Sequence, residues 1–182
     1  MISQTIYTVG HGNRKLDDLI TLLTAARIES LVDVRAQPRS QHNPQFNDDS
    51  LRAACERAGI VYHWAGRQLG GLRTPRPGSP HVALEESRRG FADHMDTEAF
   101  RKGASQLQHL AARGACAILC AEREPAHCHR ALIADYLTLQ GMRVVHLIAP
   151  GESREHLLSP EARRESAALI YDRQTTGPLD LG

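Results

Sequence analysis

Five short runs rich in β-branched and apolar residues, Thr5–Val9, Ser30–Val34, Ile60–Trp64, Ala115–Cys120 and Arg143–Ile148, alternate with four segments of helical periodicity. That rhythm is the signature of a parallel α/β sheet rather than a sandwich or a bundle. Between the first two runs Leu16, Leu19, Ile20, Leu23 and Ala26 recur at helical steps, with Asp17 and Asp18 in the first turn, where the helix dipole favours negative charge. Leu51, Ala54, Cys55 and Ala58 mark a second, shorter helix that Gly59 ends. Thr97 caps a third with a stripe of Phe100, Ala104, Leu107 and Ala111, and a fourth carries Ile133, Tyr136 and Leu137 beyond Cys128. The expected fold is a single-domain α/β protein, Rossmann-like and doubly wound, with a mainly parallel sheet of about five strands.

Two stretches break the rhythm. From Arg73 to Gly90 the chain carries Pro75, Pro77, Gly78 and Pro80, a composition that resists helix and sheet and suits a lid or binding loop. After Ile148 it turns at Pro150-Gly151, and Ser159-Pro160 reads as a cap with proline at the first helical position, opening a last helix through Ile170. The expected division is therefore an α/β domain over residues 1–150 and a C-terminal helical appendage over 151–182, frayed from Gln174.

A chain of 182 residues with 41% hydrophobic and 24% charged residues has the size and composition of one globular domain. It has no run of about 18 apolar residues and no leader-like start, so a cytoplasmic location away from membranes is expected. Its four cysteines are then expected as reduced thiols. The net charge of +1 provides no global attraction for polyanions, yet 20 of the 22 basic residues are Arg, so anion binding must be local.

Ligands of open parallel sheets bind beyond the carboxyl ends of the strands. There this chain places His11 between Gly10 and Gly12, then Asp33 and Arg35 with Arg39 beyond, then Arg73 after Gly70-Gly71, and finally Cys120-Ala121-Glu122. The densest segment runs from Cys120 through His127, Cys128 and His129 to Arg130. A helix N-terminus with flanking histidines and an arginine lowers a thiol pKa, so Cys128 is the candidate nucleophile. Cys120, Glu122 and His11 are further catalytic candidates; the plain alternatives are buried structural thiols, a solvated carboxylate and a loop histidine. Asp33, Arg35, Arg39, Arg73, His129 and Arg130 are candidates for binding an anionic substrate, because guanidinium forks suit oxyanions. Cys120 and Cys128 are expected reduced and apart, becoming a redox pair only if the loop between them folds back. Their separation by seven residues is not that of a structural zinc knuckle, so no metal is expected, and no cofactor is indicated.

These motifs together resemble one known family. Tyr7-Thr8-Val9-Gly10-His11, Leu31–Arg35 with Pro38, Pro44 and Phe46, Leu69–Arg73, Phe91–Met95, and above all Cys120-Ala121-Glu122 with Cys128-His129-Arg130, are similar to the bacterial and archaeal proteins grouped as domain of unknown function 488. Members commonly carry Ser at the position of Gly12 and Arg at that of Gln41. The resemblance implies the α/β fold and a site at these motifs but carries no reaction with it.

The expected function is that of a small enzyme acting on an anionic, phosphate-bearing or nucleotide-like small molecule through a Cys/Glu/His/Arg cleft. A nucleic-acid or partner-binding module using the same arginines is the alternative. With eight aromatic residues and no basic stripe, the chain has little to stack bases on.

Overall fold

A computed structural model describes residues 4–174. Each expected run forms a strand: β1 (Thr5–Gly10), β2 (Ser30–Asp33), β3 (Val61–Trp64), β4 (Cys116–Cys120) and β5 (Arg143–Ala149). These five pair in parallel, and an unexpected sixth, β6 (Glu152–Glu155), adds to β5 antiparallel, giving the order β3-β2-β4-β1-β5-β6. Gly151, at φ +74°, makes the tight turn into β6.

The helices are α1 (Leu16–Ala25), α2 (Asp48–Arg57), the single turn α3 (Gly66–Leu69), α4 (Glu86–His94), α5 (Glu98–Arg113) and α6 (Arg130–Leu139). The apolar stripes read from the sequence are the ones that bury. Leu19, Leu22 and Leu23 of α1 and Leu51 and Cys55 of α2 pack with Val9, Leu31 and Leu119 in one cluster. Phe91 of α4, Phe100 and Leu107 of α5 and Leu132 and Ile133 of α6 pack with Ile6, Val32 and Ile118 in the other. Thr97 caps α5 by accepting the Phe100 N–H at 3.3 Å. The result is a single α/β domain with a mostly parallel six-stranded sheet.

Two expectations are corrected. The segment from Arg73 to Gly90 is not wholly irregular, since α4 begins at Glu86. More substantially, the C-terminal helix is absent: β7 (Ala162–Glu165) and β8 (Ala168–Tyr171) form an antiparallel hairpin instead. The physical reason is the spacing of what it buries. Leu169 and Tyr171 stand two apart, the strand period, and both enter the α4–α5–α6 cluster. The Tyr171 carbonyl accepts the Ala83 N–H at 2.9 Å, its hydroxyl donates to Asp135 at 2.9 Å, and these tertiary bonds override the helical propensity of the Glu161–Ile170 segment. Most of the expected frayed end lies outside the described residues. Among the described residues no helix is long and apolar enough to cross a membrane.

Candidate functional site

The carboxyl ends of β1, β2 and β4 lie side by side, and the ladder between β1 and β4 continues past the strands. His11 N–H donates to the Cys120 carbonyl at 3.0 Å and Gly12 N–H to the Ala121 carbonyl at 2.9 Å. This continuation seats the loop between β4 and α6 against the turn after β1. At the same sheet edge a cavity of about 330 Å³ opens. Its walls come from Arg35 and Arg39 after β2, Gly71 and Leu72 after α3, Glu85, Ser87 and Arg88 at the start of α4, and Cys120, Glu122, His127, Cys128 and His129 of the β4–α6 loop.

Cys128 sits two residues before the first full turn of α6. Its Sγ accepts the backbone N–H of Arg130 at 3.4 Å, the anion-binding geometry of a helix N-terminus. The His129 imidazole lies 3.5 Å away through Nδ1, while its Nε2–H donates to the Val34 carbonyl at 3.0 Å. A carbonyl can only accept, so the Val34 bond fixes the ring and leaves Nδ1 to share a proton with the thiol. Gly71 permits the arrangement: a Cβ there would lie 2.6 Å from the His129 Nδ1. Phe91 holds the ring from the side, edge-on at 4.9 Å between centroids.

Cys120, at the end of β4, lines the same cavity as Cys128, and its Sγ lies 3.4 Å from the Glu122 carbonyl. The neighbouring Cys120 thiol, the contact with His129 and the Arg130 N–H together hold the Cys128 thiol well below its ordinary pKa, against the opposing effect of burial. Burial, with the adjacent Cys128, pushes Cys120 well above its own. The pair is therefore asymmetric, with Cys128 the more acidic of the two thiols.

Arg130 is fully buried with no carboxylate partner among the described residues. Its guanidinium donates to the carbonyls of Glu122 at 3.1 Å and Arg123 at 3.2 Å and to Thr8 Oγ1 at 3.3 Å. It thus fastens the β4–α6 loop from inside instead of facing the cavity. A buried guanidinium without a carboxylate favours negative charge nearby, and it is bonded into the loop that carries both thiols.

Asp33 and Arg35 form a buried bidentate pair, with Arg35 Nε to Oδ1 at 2.9 Å and Nη2 to Oδ2 at 2.7 Å. Tyr62 hydroxyl also donates to Asp33, and Arg35 Nη2 donates to the Phe46 carbonyl at 2.8 Å. His11 completes the cluster. Its Nδ1–H donates to the Gly12 carbonyl at 2.8 Å and its Nε2 accepts from Arg35 Nη1 at 3.3 Å, with the ring stacked on Phe46 at 4.5 Å. Burial lowers the His11 pKa. With both nitrogens engaged, His11 positions Arg35.

Of the residues singled out from sequence, Cys120, Glu122, Cys128, His129, Arg35 and Arg39 line the cavity, and His11 and Asp33 stand behind Arg35. Arg73 does not join them: it donates to the Gly70 carbonyl at 3.1 Å and to the Arg67 carbonyl, closing the turn after α3. Arg39 reaches Asp48 at 2.9 Å across the surface, and the Glu122 carboxylate is exposed at the rim. Sequence reasoning missed Arg88, Glu85 and Ser87. The signal was available, since Glu85 and Arg88 stand one helical turn apart and pair at 2.6 Å. Among the described residues no group of three or more His, Cys, Asp or Glu side chains converges to hold a metal ion.

The family model described as domain of unknown function DUF488 matches residues 15–137, about two thirds of the chain. The chain belongs to this family. The DUF488 match spans Asp33, Arg35 and the whole β4–α6 loop, and leaves outside it Thr8 and His11 before and His146 and His156 after. No curated protein and no solved structure matches the chain.

Proposed function

We propose that this DUF488 protein is a cytoplasmic, thiol-dependent enzyme that acts on an anionic small molecule, with Cys128 as nucleophile and His129 as its proton partner. One observation carries the reading: the Val34 carbonyl fixes His129 so that Nδ1 meets the Cys128 Sγ at 3.5 Å. A thiol and an oriented imidazole within reach are the elements of an activated cysteine nucleophile. The α6 N-terminus adds its Arg130 N–H, stabilising the thiolate before attack and accepting no proton itself.

Arg35, Arg39 and Arg88 face the same cavity. Arg35 is neutralised by Asp33, so Arg39 and Arg88, whose carboxylate partners are solvent-exposed, supply the charge available to an incoming anion. The apolar Ala36 and Leu72 form part of the remaining wall. Helical clusters on both faces support the finer reading of the fold as Rossmann-like and doubly wound.

The test is the pH dependence of Cys128 alkylation by iodoacetamide, followed by peptide mass spectrometry. Rapid labelling that persists well below pH 8.5, the ordinary thiol range of about 8–9, is expected. Labelling no faster than a free exposed thiol at every pH would remove Cys128 as nucleophile.

A further inference from the structure

We infer that Cys120 is the resolving thiol for Cys128, so that the site carries out dithiol–disulfide exchange on a low-molecular-weight anionic disulfide. The inference rests on the Cys128 thiolate reading and adds the reaction class. It stands on placement: both side chains line one cavity although seven residues separate them in sequence, and Arg130 ties them together, its guanidinium donating to the Glu122 carbonyl that Cys120 Sγ contacts at 3.4 Å and its N–H donating to Cys128 Sγ at 3.4 Å. The loop between them folds back through the 3-10 turn Pro125–His127, and Arg130 clamps that fold by its bonds to Glu122 and Arg123. Cys55 and Cys116 lie buried, and neither lines the cavity.

Unequal roles follow from the surroundings. Cys128 has the helix N-terminus and His129, the environment of an attacking sulfur; Cys120, 1% exposed, is the more buried of the two. The Cys128 thiolate attacks one sulfur of the substrate R–S–S–R, forming a mixed disulfide, and the first thiolate leaves with the proton held by His129. Cys120 then gives its proton to the vacated imidazole through solvent and attacks the Cys128 Sγ. The protein disulfide forms, and the second substrate sulfur leaves as a thiolate that takes that proton. The substrate gains two electrons and becomes two thiols, while the dithiol becomes one cystine. Forming the mixed disulfide removes the Cys128 charge, leaving the buried Arg130 to favour a thiolate on Cys120. Closure brings the two sulfurs to a bond length of about 2.05 Å. Arg39 and Arg88 select a disulfide bearing carboxylates.

The probe is glutathione disulfide added to the reduced full-length chain, followed by acid quench, alkylation and trypsin. Cleavage after Arg123 puts Cys120 and Cys128 on different peptides, so an intramolecular bond appears as two peptides linked. Wild type is expected to yield that linked pair, with the mixed disulfide transient. Cys120→Ser should instead accumulate glutathionylated Cys128 at least about tenfold over wild type, and Cys128→Ser should form neither species. Cys116→Ala, which removes the other thiol on the Cys120 peptide, should still give the link. Wild type that stops at glutathionylated Cys128 overturns Cys120 as resolving thiol while leaving the nucleophile in place. A link that disappears in Cys116→Ala also overturns it, and a Cys128 inert to both glutathione disulfide and iodoacetamide overturns both readings.

Discussion

The His146 Nε2 lies 2.8 Å from the Nδ1 of His156, and this contact joins the β5–β6 hairpin to the thiol site through an ordered series of donors. Asp135 accepts from His156 Nε2–H at 2.7 Å, so His156 Nδ1 is free to accept from His146 Nε2–H. His146 Nδ1 then accepts from the Thr8 hydroxyl, whose oxygen accepts from Arg130. Every step is satisfied with both histidines neutral. Ser159 N–H and the Tyr171 hydroxyl complete the Asp135 shell, so one carboxylate anchors α6, the chain after β6 and β8 together.

Protonating His146 would put a donor where an acceptor is needed and a cation beside Arg130. Burial, then the neighbouring His156 and Arg130, lowers its pKa to about 3. The unfolded value is about 6.5, so between these limits the unfolded chain binds the extra proton. The corresponding stability is fully present above about pH 6.5 and is lost as the pH falls towards about 3, at roughly 1.4 kcal/mol per pH unit. Urea unfolding should show wild type losing its margin over His146→Gln between pH 7 and pH 4, by about 3 kcal/mol. An unchanged margin would mean that His146 is not held neutral.

His129 sets the second prediction. His129→Gln removes the proton partner of Cys128 and should slow iodoacetamide labelling at pH 6 by at least about tenfold, with rates converging above about pH 9 where any thiol ionises. Gly71→Ala should act in the same direction from outside the thiol pair, because its Cβ would occupy space 2.6 Å from the His129 ring nitrogen. A loss of rate equal at both pH values would instead indicate blocked access to the sulfur.

Much of this site is legible in the sequence because strand-end position is legible. Cys120, Cys128, Asp33 and Arg35 follow apolar runs that only buried parallel strands produce, and their convergence follows from the sheet rule. Direction is not legible. Arg73 and Arg130 read alike as cationic forks, yet one closes a turn and the other is sealed beneath a loop, a difference set by carbonyls that no local pattern reveals. The C-terminal hairpin was hidden for a related reason: Ala162, Leu169 and Tyr171 are inward only because α4, α5 and α6 provide a surface for them. The Thr8–His146–His156–Asp135 series joins residues up to 148 positions apart and has no local signature.

The Asp33–Arg35 pair gives a third prediction, on stability. Asp33→Ala would leave a guanidinium buried beside His11 and Phe46 with no countercharge and Tyr62 without its acceptor. Breaking one side of a buried pair costs about 3–5 kcal/mol. Tyr62→Phe, which removes a single bond to a charged group, should cost about 1.5–3 kcal/mol. Chemical denaturation of both variants orders them, and an Asp33→Ala cost no greater than that of Tyr62→Phe would show that Arg35 finds another partner.

Gly10 supplies the last prediction, because it is where β1 passes the β4–α6 loop most closely. A Cβ on Gly10 would lie 1.8 Å from the Glu122 carbonyl oxygen and 2.8 Å from the Arg123 Cα, both backbone atoms that no rotamer change can move aside. Gly10→Ala must therefore displace the loop. The Glu122 carbonyl accepts from Arg130 and contacts the Cys120 thiol, so the displacement loosens the clamp that holds both sulfurs. Overpacking costs about 1–3 kcal/mol, and the disturbed buried bonds to Arg130 add to it. The variant should thus lose stability in urea and also lose the low-pH labelling of Cys128, even under conditions where it remains folded by circular dichroism. Labelling as fast as wild type in a folded Gly10→Ala protein would show that thiol activation depends on α6 and His129 alone, and not on the loop that Arg130 fastens.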